Sequence, residues 1–293
     1  MAVAIGAAKQ AGALLTRAFG QRNVERRRGR HDVVSDLDRA SEALIMARLA
    51  ASFPADRRLG EETGLTAAGR TSDRTWIVDP LDGTVNYVSG LPFWCVSIAL
   101  AVGAQIELGV IHDPLRGETI VAASGHGAWR LDSMVRLEMR RLRRTADAVI
   151  SADPGGLDDD AAWRISELRK QVRAVRTLGS TALSLTGLAT GRLDGVLQVR
   201  GLQAVDVAAA GLIAREAGAQ ISDADGGPWL VVAEPSRGTG IAAARPGVHR
   251  RLIGGDASQA GGSAARGDAH LVERALEPVA ARGGTRIGAD DER

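Results

Sequence analysis

Two aspartates three residues apart, Asp79 and Asp82, are the residues of this sequence whose type and spacing most directly indicate chemistry. Gly83 follows them and lets the backbone approach a ligand closely, because glycine has no side chain, and Thr84 adds a hydroxyl. Carboxylate, carbonyl and hydroxyl oxygens are the ligands that Mg²⁺ prefers, and a water in its shell can be deprotonated. The pattern therefore predicts a magnesium site, although Asp-x-x-Asp-Gly also describes many ordinary surface turns.

Two more acidic positions are candidates for the same site. Glu61 belongs to an acidic pair that follows a strand-like run, and Asp206 opens an alanine-rich helical stretch. Taken singly, Asp206 is explained as a helix cap, since a carboxylate at a helix start accepts hydrogen bonds from free backbone amides. Together with Asp79 and Asp82, the two positions complete a candidate set of four carboxylates.

Five segments of the chain resemble the inositol monophosphatase family, within the wider group of lithium-sensitive magnesium phosphatases. The matching segments are residues 32–38, 60–62, 76–87, 179–183 and 205–218. They occur in the order of the family and cover nearly the whole chain to about residue 250. The block 76–87 is the most specific of them, and the helix that contains Asp206 comes next.

The resemblance implies that five residues of this chain are ligands of magnesium ions. One ion would be bound by Glu61, Asp79 and the carbonyl oxygen of Leu81, and a second ion by Asp79, Asp82 and Asp206. In the family a third ion is held more loosely through the glutamate. A phosphate ester and an attacking hydroxide repel each other, and cations between them offset this repulsion during an in-line displacement.

The resemblance also implies catalytic and substrate-binding roles. Glu61 and Thr84 would activate the attacking water, and Asp38 would orient the Thr84 hydroxyl. Val199 stands where the family has a glutamate that binds the ring hydroxyls of inositol, so inositol 1-phosphate is expected to be a poorer substrate than for typical members. The positions implied to contact the substrate are Asp82, Gly83, Thr84, Gly179, Ser180, Thr181, Val199 and Asp206.

The function predicted from the sequence is a Mg²⁺-dependent phosphomonoesterase that acts on inositol 1-phosphate or a related polyol or sugar phosphate. Alternative substrates for the same hydrolytic reaction are histidinol phosphate, fructose 1,6-bisphosphate, an aminocyclitol phosphate and adenosine 3',5'-bisphosphate. A different class of function is a nucleic-acid- or transcription-associated binding protein, which could use the arginine-rich segments 26–30 and 136–144. The complete set of four carboxylates favours the enzyme, and a net charge of only +2 argues against nucleic acid.

Length and composition predict a globular protein. The chain has 293 residues, of which 45% are hydrophobic, and this suffices for a large core. It contains no run of about 18 apolar residues and no signal-peptide pattern at its start, so we expect a cytoplasmic protein without a membrane partner. The single cysteine, Cys95, lies among apolar residues and is expected to be buried. The resemblance is compatible with a homodimer.

The elements that must position the site follow from hydrophobic spacing and helix breakers. Helices are predicted over 2–19, from 35 or 36 to 54, and over 158–170, 181–190, 207–217 and 270–281. Strands are predicted over 76–78, 95–102, 106–111, 119–122, 128–131, 148–151, 195–199, 220–222 and 229–232, and those of the first half form an antiparallel meander.

This order of elements predicts a mixed α/β (α+β) protein. The resemblance implies a layered α-β-α-β-α sugar-phosphatase fold in a catalytic domain of residues 1–254, with two closely packed lobes over about 1–145 and 146–254. Residues 255–293 are rich in Gly, Ala, Ser, Arg and Asp and are expected to form a flexible C-terminal tail.

Overall fold

Helices and strands alternate in the computed structural model, which describes residues 1–20, 30–66, 72–156, 159–230, 232 and 238–254. The helices are α1 (Ala2–Ala18), α2 (Arg30–Ser52), α3 (Thr84–Ser89), α4 (Asp159–Arg169), α5 (Thr181–Ala189), α6 (Ala204–Glu216) and α7 (Pro246–Leu252). The strands are β1 (Arg57–Gly60), β2 (Gly64–Thr66), β3 (Arg74–Asp82), β4 (Cys95–Val102), β5 (Gln105–Asp113), β6 (Glu118–Ala123), β7 (Ala128–Arg130), β8 (Val135–Arg136), β9 (Val149–Asp153), β10 (Ala174–Arg176), β11 (Gly195–Leu202), β12 (Gln220–Ser222) and β13 (Thr239–Ala244).

The larger sheet contains eight strands in the order β2-β1-β3-β4-β5-β6-β7-β8. Strands β1 and β3 are parallel, and the neighbours from β3 to β8 are antiparallel. The predicted meander of the first half is therefore confirmed. Strands β4 and β5 are buried along most of their length, because helices cover both faces of the sheet.

The smaller sheet contains five strands in the order β10-β9-β11-β13-β12. Strand β9 is parallel to β10 and to β11, whereas β13 is antiparallel to β11 and to β12. The register between β11 and β13 shifts after Gln198, so that the pairing resumes only at Leu202. Residues 199–201 are consequently outside the regular ladder.

Five layers result from the way in which the helices cover the two sheets. Helices α1 and α2 share a core with one face of the larger sheet. Helices α5 and α6 share the next core with its other face and with the inner face of the smaller sheet. Helices α4 and α7 cover the outer face of the smaller sheet. This order is the predicted α-β-α-β-α arrangement, and residues Met1–Gly255 form one compact unit.

Helix α6 lies unusually close to the larger sheet. Its middle consists of small residues that are almost completely buried, including Ala208 and Ala209. Opposite them on β5 is Gly109, where an added Cβ atom would lie 2.5 Å from the carbonyl oxygen of Ala209. Only glycine fits at that position, because a side chain would meet the rigid backbone of the helix.

Several predicted boundaries differ from the structure. Helix α2 begins at Arg30 rather than at residue 35 or 36, so the helical backbone starts about one and a half turns before the predicted cap. Helix α6 begins at Ala204, so Asp206 is its third residue and not its first. The strand predicted over 229–232 is wrong at Trp229 and Leu230, which are irregular; residue 231 lies outside the described residues.

Strands β2, β8, β10 and β13 were not predicted, and β13 is the longest of them. Its residues Thr239–Ala244 are mostly glycine and alanine, which have low strand propensity, and burial between β11 and β12 decides its conformation. Among the residues that the structure describes, no helix is both long enough and apolar enough to cross a membrane. The helix predicted over 270–281 and the expected tail lie outside the described residues.

Candidate metal and phosphate site

Strand β3 carries both aspartates of the first motif, and a β-bulge brings them to one side of the sheet. Asp79 is opposite Ser97 of β4 and Asp82 is opposite Cys95, so β3 uses one residue more than its partner. Residues three apart on a regular strand face opposite sides, and the extra residue restores a common side. Pro80 is tolerated because a bulged residue need not donate to the ladder. The strand therefore continues to Asp82, beyond the end predicted from the proline.

One face of α2 changes from polar to apolar along the helix. Asp38, Ser41, Glu42 and Ile45 are spaced three and four residues apart, and all are buried, as expected for one helical face. Ile45 packs in the core between the helix and the larger sheet, and the Ser41 hydroxyl donates to the carbonyl oxygen of Pro80 at 3.2 Å. The polar part of the face therefore lies against the bulge.

Glu42 fixes the turn that carries Glu61. Its carboxylate accepts hydrogen bonds from the backbone amides of Glu62 at 2.9 Å and Thr63 at 3.0 Å. At Gly60, the last residue of β1, an added Cβ atom would lie 2.5 Å from this carboxylate. The turn and α2 are thus in direct contact, which sets the direction of Glu61.

The start of α5 supplies hydrogen bonds to Asp82. Its Oδ2 atom accepts from the Ser180 hydroxyl and from the backbone amide of Ala182, the latter at 3.1 Å. Ser180 is also the N-cap residue of α5. Gly83 has φ of +91° and lies against Ser180, where an added Cβ atom would come within 3.2 Å of the serine Cβ. The segment after β3 and the start of α5 therefore meet at backbone distance.

Asn86 joins α3 to the segment before α5. Its Nδ2 atom donates to the carbonyl oxygens of Phe93 at 2.8 Å and Leu178 at 2.7 Å. Gly179 is in the left-handed region, and an added Cβ atom there would lie 2.9 Å from the Asn86 amide. This side chain therefore connects α3, which begins at Thr84, with the segment that leads into α5.

Asp206 reaches the site from α6. As the third residue of that helix, it accepts a hydrogen bond from the backbone amide of Gln203 at 2.6 Å through its Oδ2 atom, which is half of a capping box. The capping role therefore accounts for one of its oxygens and leaves the other for a ligand.

The four carboxylates repel one another. Burial raises the pKa of Asp79 well above its usual range, and the charges of Glu61, Asp82 and Asp206 raise it further. Burial also raises the pKa of Asp82 to about 7, although the hydrogen bond from Ser180 opposes this shift. Glu61 shares a side-chain hydrogen bond with Asp79. The structure thus brings the four predicted carboxylates close enough for their charges to interact.

Asp38 extends this acidic group from α2. Burial and the charges of Glu61, Glu62 and Glu42 raise its pKa to about 8. Its Oδ1 atom is buried and has no hydrogen-bond partner among the described residues. Such an atom costs free energy unless a ligand or water binds it.

The Thr84 hydroxyl donates to the carbonyl oxygen of Leu81 at 3.0 Å. A hydroxyl has one hydrogen to donate, and that of Thr84 is directed at Leu81. Thr84 and the Leu81 carbonyl do lie next to Asp82 in the same turn, as the motif requires. The predicted role of Asp38 in orienting Thr84 stays a prediction.

The donor chemistry of the site fits Mg²⁺. It offers carboxylate and carbonyl oxygens only, and its mutual repulsion would be relieved by cations. Within the described ranges, the side chains form no group of three or more His, Cys, Asp or Glu residues that could hold a metal ion in their present positions. Asp82 and Asp206 each have one oxygen that accepts hydrogen bonds from the chain. An ion bound to the same oxygen would share it with these hydrogen bonds or break them.

Val199 is not brought to the carboxylates. It packs against the core under α4 and α7 and lines an outer cavity of about 530 Å³ together with Arg164 and Asp223. The preceding residue faces the other way, as strand alternation requires: the Gln198 side chain accepts a hydrogen bond from the Thr181 hydroxyl at 2.5 Å. The residue that reaches the site from β11 is therefore Gln198.

The sequence reasoning missed three residues of this region. Glu42 could have been found from its spacing to Asp38 on one helical face, and Asn86 from its place in the block 76–87. Gln198 had no sequence signal of its own, because only the direction of β11 decides which of two neighbouring side chains faces α5.

The raised pKa values predict how stability depends on pH without metal. The pKa of Asp38 rises from 3.8 to about 8 and that of Asp82 from 3.8 to about 7, so the folded state binds more protons than the unfolded chain between these values. The contribution of these two groups to the free energy of unfolding is therefore fully present below about pH 4. It decreases as the pH rises and is lost by about pH 8.

Urea unfolding in the presence of a chelator, at about pH 5 and about pH 8, checks this prediction. We expect the lower midpoint at the higher pH and a smaller difference in an Asp82→Asn variant, whose amide does not titrate. A urea midpoint that increases from pH 5 to pH 8 would contradict the raised pKa values of Asp38 and Asp82.

Comparison with known proteins gives a consistent result. The chain is 36% identical over 239 residues to inositol monophosphatase 2 of Solanum lycopersicum, covering 79% of this chain and 89% of that protein. It is 37% identical over 247 residues to Nus factor SuhB of Haemophilus influenzae, covering 80% and 91%. The crystal structure of extragenic suppressor protein suhB from Bartonella henselae matches with a TM-score of 0.74 and 31% identity, over 87% of this chain and 99% of that chain.

The model of the inositol monophosphatase family matches residues 1–260. With the layered fold and these relatives, the match shows that the chain belongs to the inositol monophosphatase family and is a phosphatase, a phosphoric monoester hydrolase.

Proposed function

We propose that the protein is a Mg²⁺-dependent phosphomonoesterase that hydrolyses inositol 1-phosphate or a related polyol or sugar phosphate. The observation that carries the proposal is the proximity of Glu61, Asp79, Asp82 and Asp206, whose charges act on one another. A phosphate ester is also an anion, so these residues would repel it unless cations lay between them. Four carboxylates that interact near the end of strand β3 are therefore best explained as metal ligands.

The residues that would hold Mg²⁺ are Glu61, Asp79, Asp82, Asp206 and the carbonyl of Leu81. When bound, the ions supply positive charge to the phosphate and leaving oxygens and favour ionisation of water. Holding them also relieves the repulsion that raises the pKa of Asp79.

The chain itself supplies the base and the phosphate donors. Glu61 belongs to the group of four carboxylates, and we propose that its carboxylate accepts the proton of the attacking water. The backbone amides of Gly83 and Thr84 would donate to the phosphate oxygens, which the absence of a side chain at Gly83 permits. The new P–O bond would form as the ester P–O bond breaks; the leaving alkoxide would take a proton from solvent water, and the proton accepted by Glu61 would return to solvent.

The alternative esters remain those named from the sequence: histidinol phosphate, fructose 1,6-bisphosphate, an aminocyclitol phosphate and adenosine 3',5'-bisphosphate. A cytoplasmic location and a homodimer remain predictions as well. We propose a neutral polyol or sugar phosphate first, because the chain has the whole motif 76–87 that supports the inositol branch of the resemblance.

A transcription-associated binding function is the second candidate, since one relative is named Nus factor SuhB. Part of the positive charge in 136–144 is already neutralised within the chain. Arg140 is paired with Asp194 at 2.6 Å, and Arg144 with Asp147 at 3.0 Å. Residues 26–29 of the other basic segment lie outside the described residues. These ion pairs make the enzyme the better supported proposal.

Phosphate release tests the proposal. The full chain is assayed with Mg²⁺, and with a chelator as control, on inositol 1-phosphate and on the four alternative esters. We expect metal-dependent hydrolysis with the highest kcat/KM on a neutral polyol or sugar phosphate. Release from none of the esters would contradict the enzymatic proposal and favour the binding function.

A further inference from the structure

We infer that Ser180 is a positioning residue for Asp82, which fixes this carboxylate so that only its Oδ1 atom is presented to a magnesium ion. The inference rests on the proposed function and adds to it a role for the start of α5. It also gives Ser180 a different role from the substrate contact that the resemblance implies.

Three donors converge on one oxygen of the Asp82 carboxylate. The Ser180 hydroxyl and the backbone amide of Ala182, the latter at 3.1 Å, donate to Oδ2, and the Cys95 thiol donates to the same atom at 3.7 Å. Within the part of the chain that the structure describes, no hydrogen bond ends on Oδ1. Since a carboxylate oxygen has about two lone-pair sites, Oδ2 is filled and Oδ1 is left for an ion.

The three donors belong to two different elements. Cys95 is directly opposite Asp82 in the pairing of β3 with β4, so the two side chains share one face of the sheet. Ser180 and Ala182 approach from the start of α5. A rotation of the carboxylate would break hydrogen bonds to both elements, and hydrogen bonds of this kind orient the carboxylates that bind metal ions.

The Ser180 hydroxyl has no hydrogen left for a substrate. A hydroxyl carries one hydrogen, and that of Ser180 is directed at Asp82. Its oxygen accepts from the backbone amide of Leu183 at 3.2 Å. Ser180 is also only 4% exposed. A phosphate oxygen could therefore receive this hydrogen only if Asp82 lost it.

The type of residue at this helix cap supports the same role. Asp, Asn, Ser and Thr all accept hydrogen bonds from the free amides at a helix start, but an ionised Asp cannot donate and would add a charge to the acidic group. A hydroxyl can accept from Leu183 and donate to Asp82 at the same time. The cap of α5 thus connects the start of the helix with the orientation of a proposed metal ligand.

Three variants of Ser180 separate positioning from capping. Ser180→Ala removes both hydrogen bonds of the hydroxyl, Ser180→Gly removes them with a residue that is better tolerated at a cap, and Ser180→Thr keeps the hydroxyl. Ser151→Ala is the matched control, because Ser151 is also buried and its hydroxyl is hydrogen-bonded only to Ser184 at 3.0 Å among the described residues. Calorimetric titration of the chelator-treated full chain with Mg²⁺ measures affinity without any substrate.

For Ser180→Ala and Ser180→Gly we expect the affinity for Mg²⁺ to fall about 10- to 100-fold, as is typical when a partner of a metal ligand is removed. Ser180→Thr should retain the wild-type affinity. Ser151→Ala should have a lower melting temperature and the wild-type affinity. At saturating Mg²⁺, the KM of the Ser180 variants for the best ester should stay near the wild-type value, because Ser180 is not in contact with the ester.

Wild-type Mg²⁺ affinity in Ser180→Ala and Ser180→Gly would overturn the inference, and with a raised KM it would support the substrate contact instead. An equal loss of affinity in Ser151→Ala, or no rescue by Ser180→Thr, would overturn it too, because a general loss of stability predicts both. A wild-type chain that binds no Mg²⁺ would overturn the proposed metal site together with this inference, whereas a wild type that binds Mg²⁺ beside variants of equal affinity overturns the inference alone.

Discussion

Replacement of Asp79 by asparagine is expected to abolish phosphatase activity while leaving the protein folded. Asp79 is 2% exposed, and the charges of Glu61, Asp82 and Asp206 all raise its pKa, so we propose that it serves both ions. A neutral amide cannot supply that charge, and the loss of several kcal/mol of transition-state stabilisation corresponds to a fall of more than about 10³-fold in kcat. The measurement is phosphate release from the best substrate.

The same variant should separate metal binding from folding. Without metal, its melting temperature should equal or exceed that of the wild type, because one source of repulsion is removed. Mg²⁺ should raise the melting temperature of the wild type, since a ligand that binds only the folded state stabilises it. This increase should be absent in the variant.

Asp56→Asn is the matched control for Asp79→Asn. Asp56 is also buried, but it accepts from the Trp76 indole at 2.9 Å and pairs with Arg74 at 3.1 Å, before β1 and away from the carboxylates. This control should lose stability and keep its turnover. Near-normal turnover in the Asp79 variant would show that the ion-binding assignment is wrong.

Replacement of Gly109 by alanine is expected to be the most disruptive single-methyl change in the larger sheet. The new Cβ atom would lie 2.5 Å from the carbonyl oxygen of Ala209, and the helix backbone cannot rotate away as a side chain could. Overpacking of this kind costs about 1–3 kcal/mol or more, and each kcal/mol lowers Tm by roughly 2–4 °C in a domain of this size. Calorimetry measures the change.

Activity should also fall in this variant, because α6 carries Asp206 and must move away from β5. The matched control is Gly247→Ala in α7, where an added Cβ atom meets no atom within 4 Å; alanine there should maintain or slightly raise Tm. A Gly109→Ala protein as stable as the wild type would show that α6 is free to shift against the sheet.

The metal-binding motif and the layered order of elements could be predicted from the sequence because each has a local signal. Asp79, Asp82 and Gly83 follow one another within five residues, and the small residues around Ala208 mark a buried helix. The end of β3 was misplaced because Pro80 normally stops a strand, and only pairing with β4 shows that a bulge accommodates it.

The substrate side of the site could not be predicted in the same way. An alignment by resemblance assigns Val199, whereas the register shift of β11 after Gln198 and the alternation of its side chains assign the neighbouring residue. A displacement of one residue reverses the face that a side chain occupies. Hydrogen bonds such as that of Asn86 to Leu178, 92 residues away, have no signature in local sequence either.

The hydrogen bond from the Ala182 amide to Asp82 spans 100 residues, and it has a consequence for the order in which the protein is made. A ribosome that has released the larger sheet has already delivered Asp79 and Asp82, but α5 and α6 follow several seconds later at about 5–20 residues per second. Until then the two aspartates lack the amide of Ala182 and the carboxylate of Asp206. Contacts of such separation form late, so on the proposed assignment of Asp206 as an ion ligand we expect a nascent chain that ends before α6 to lack phosphatase activity.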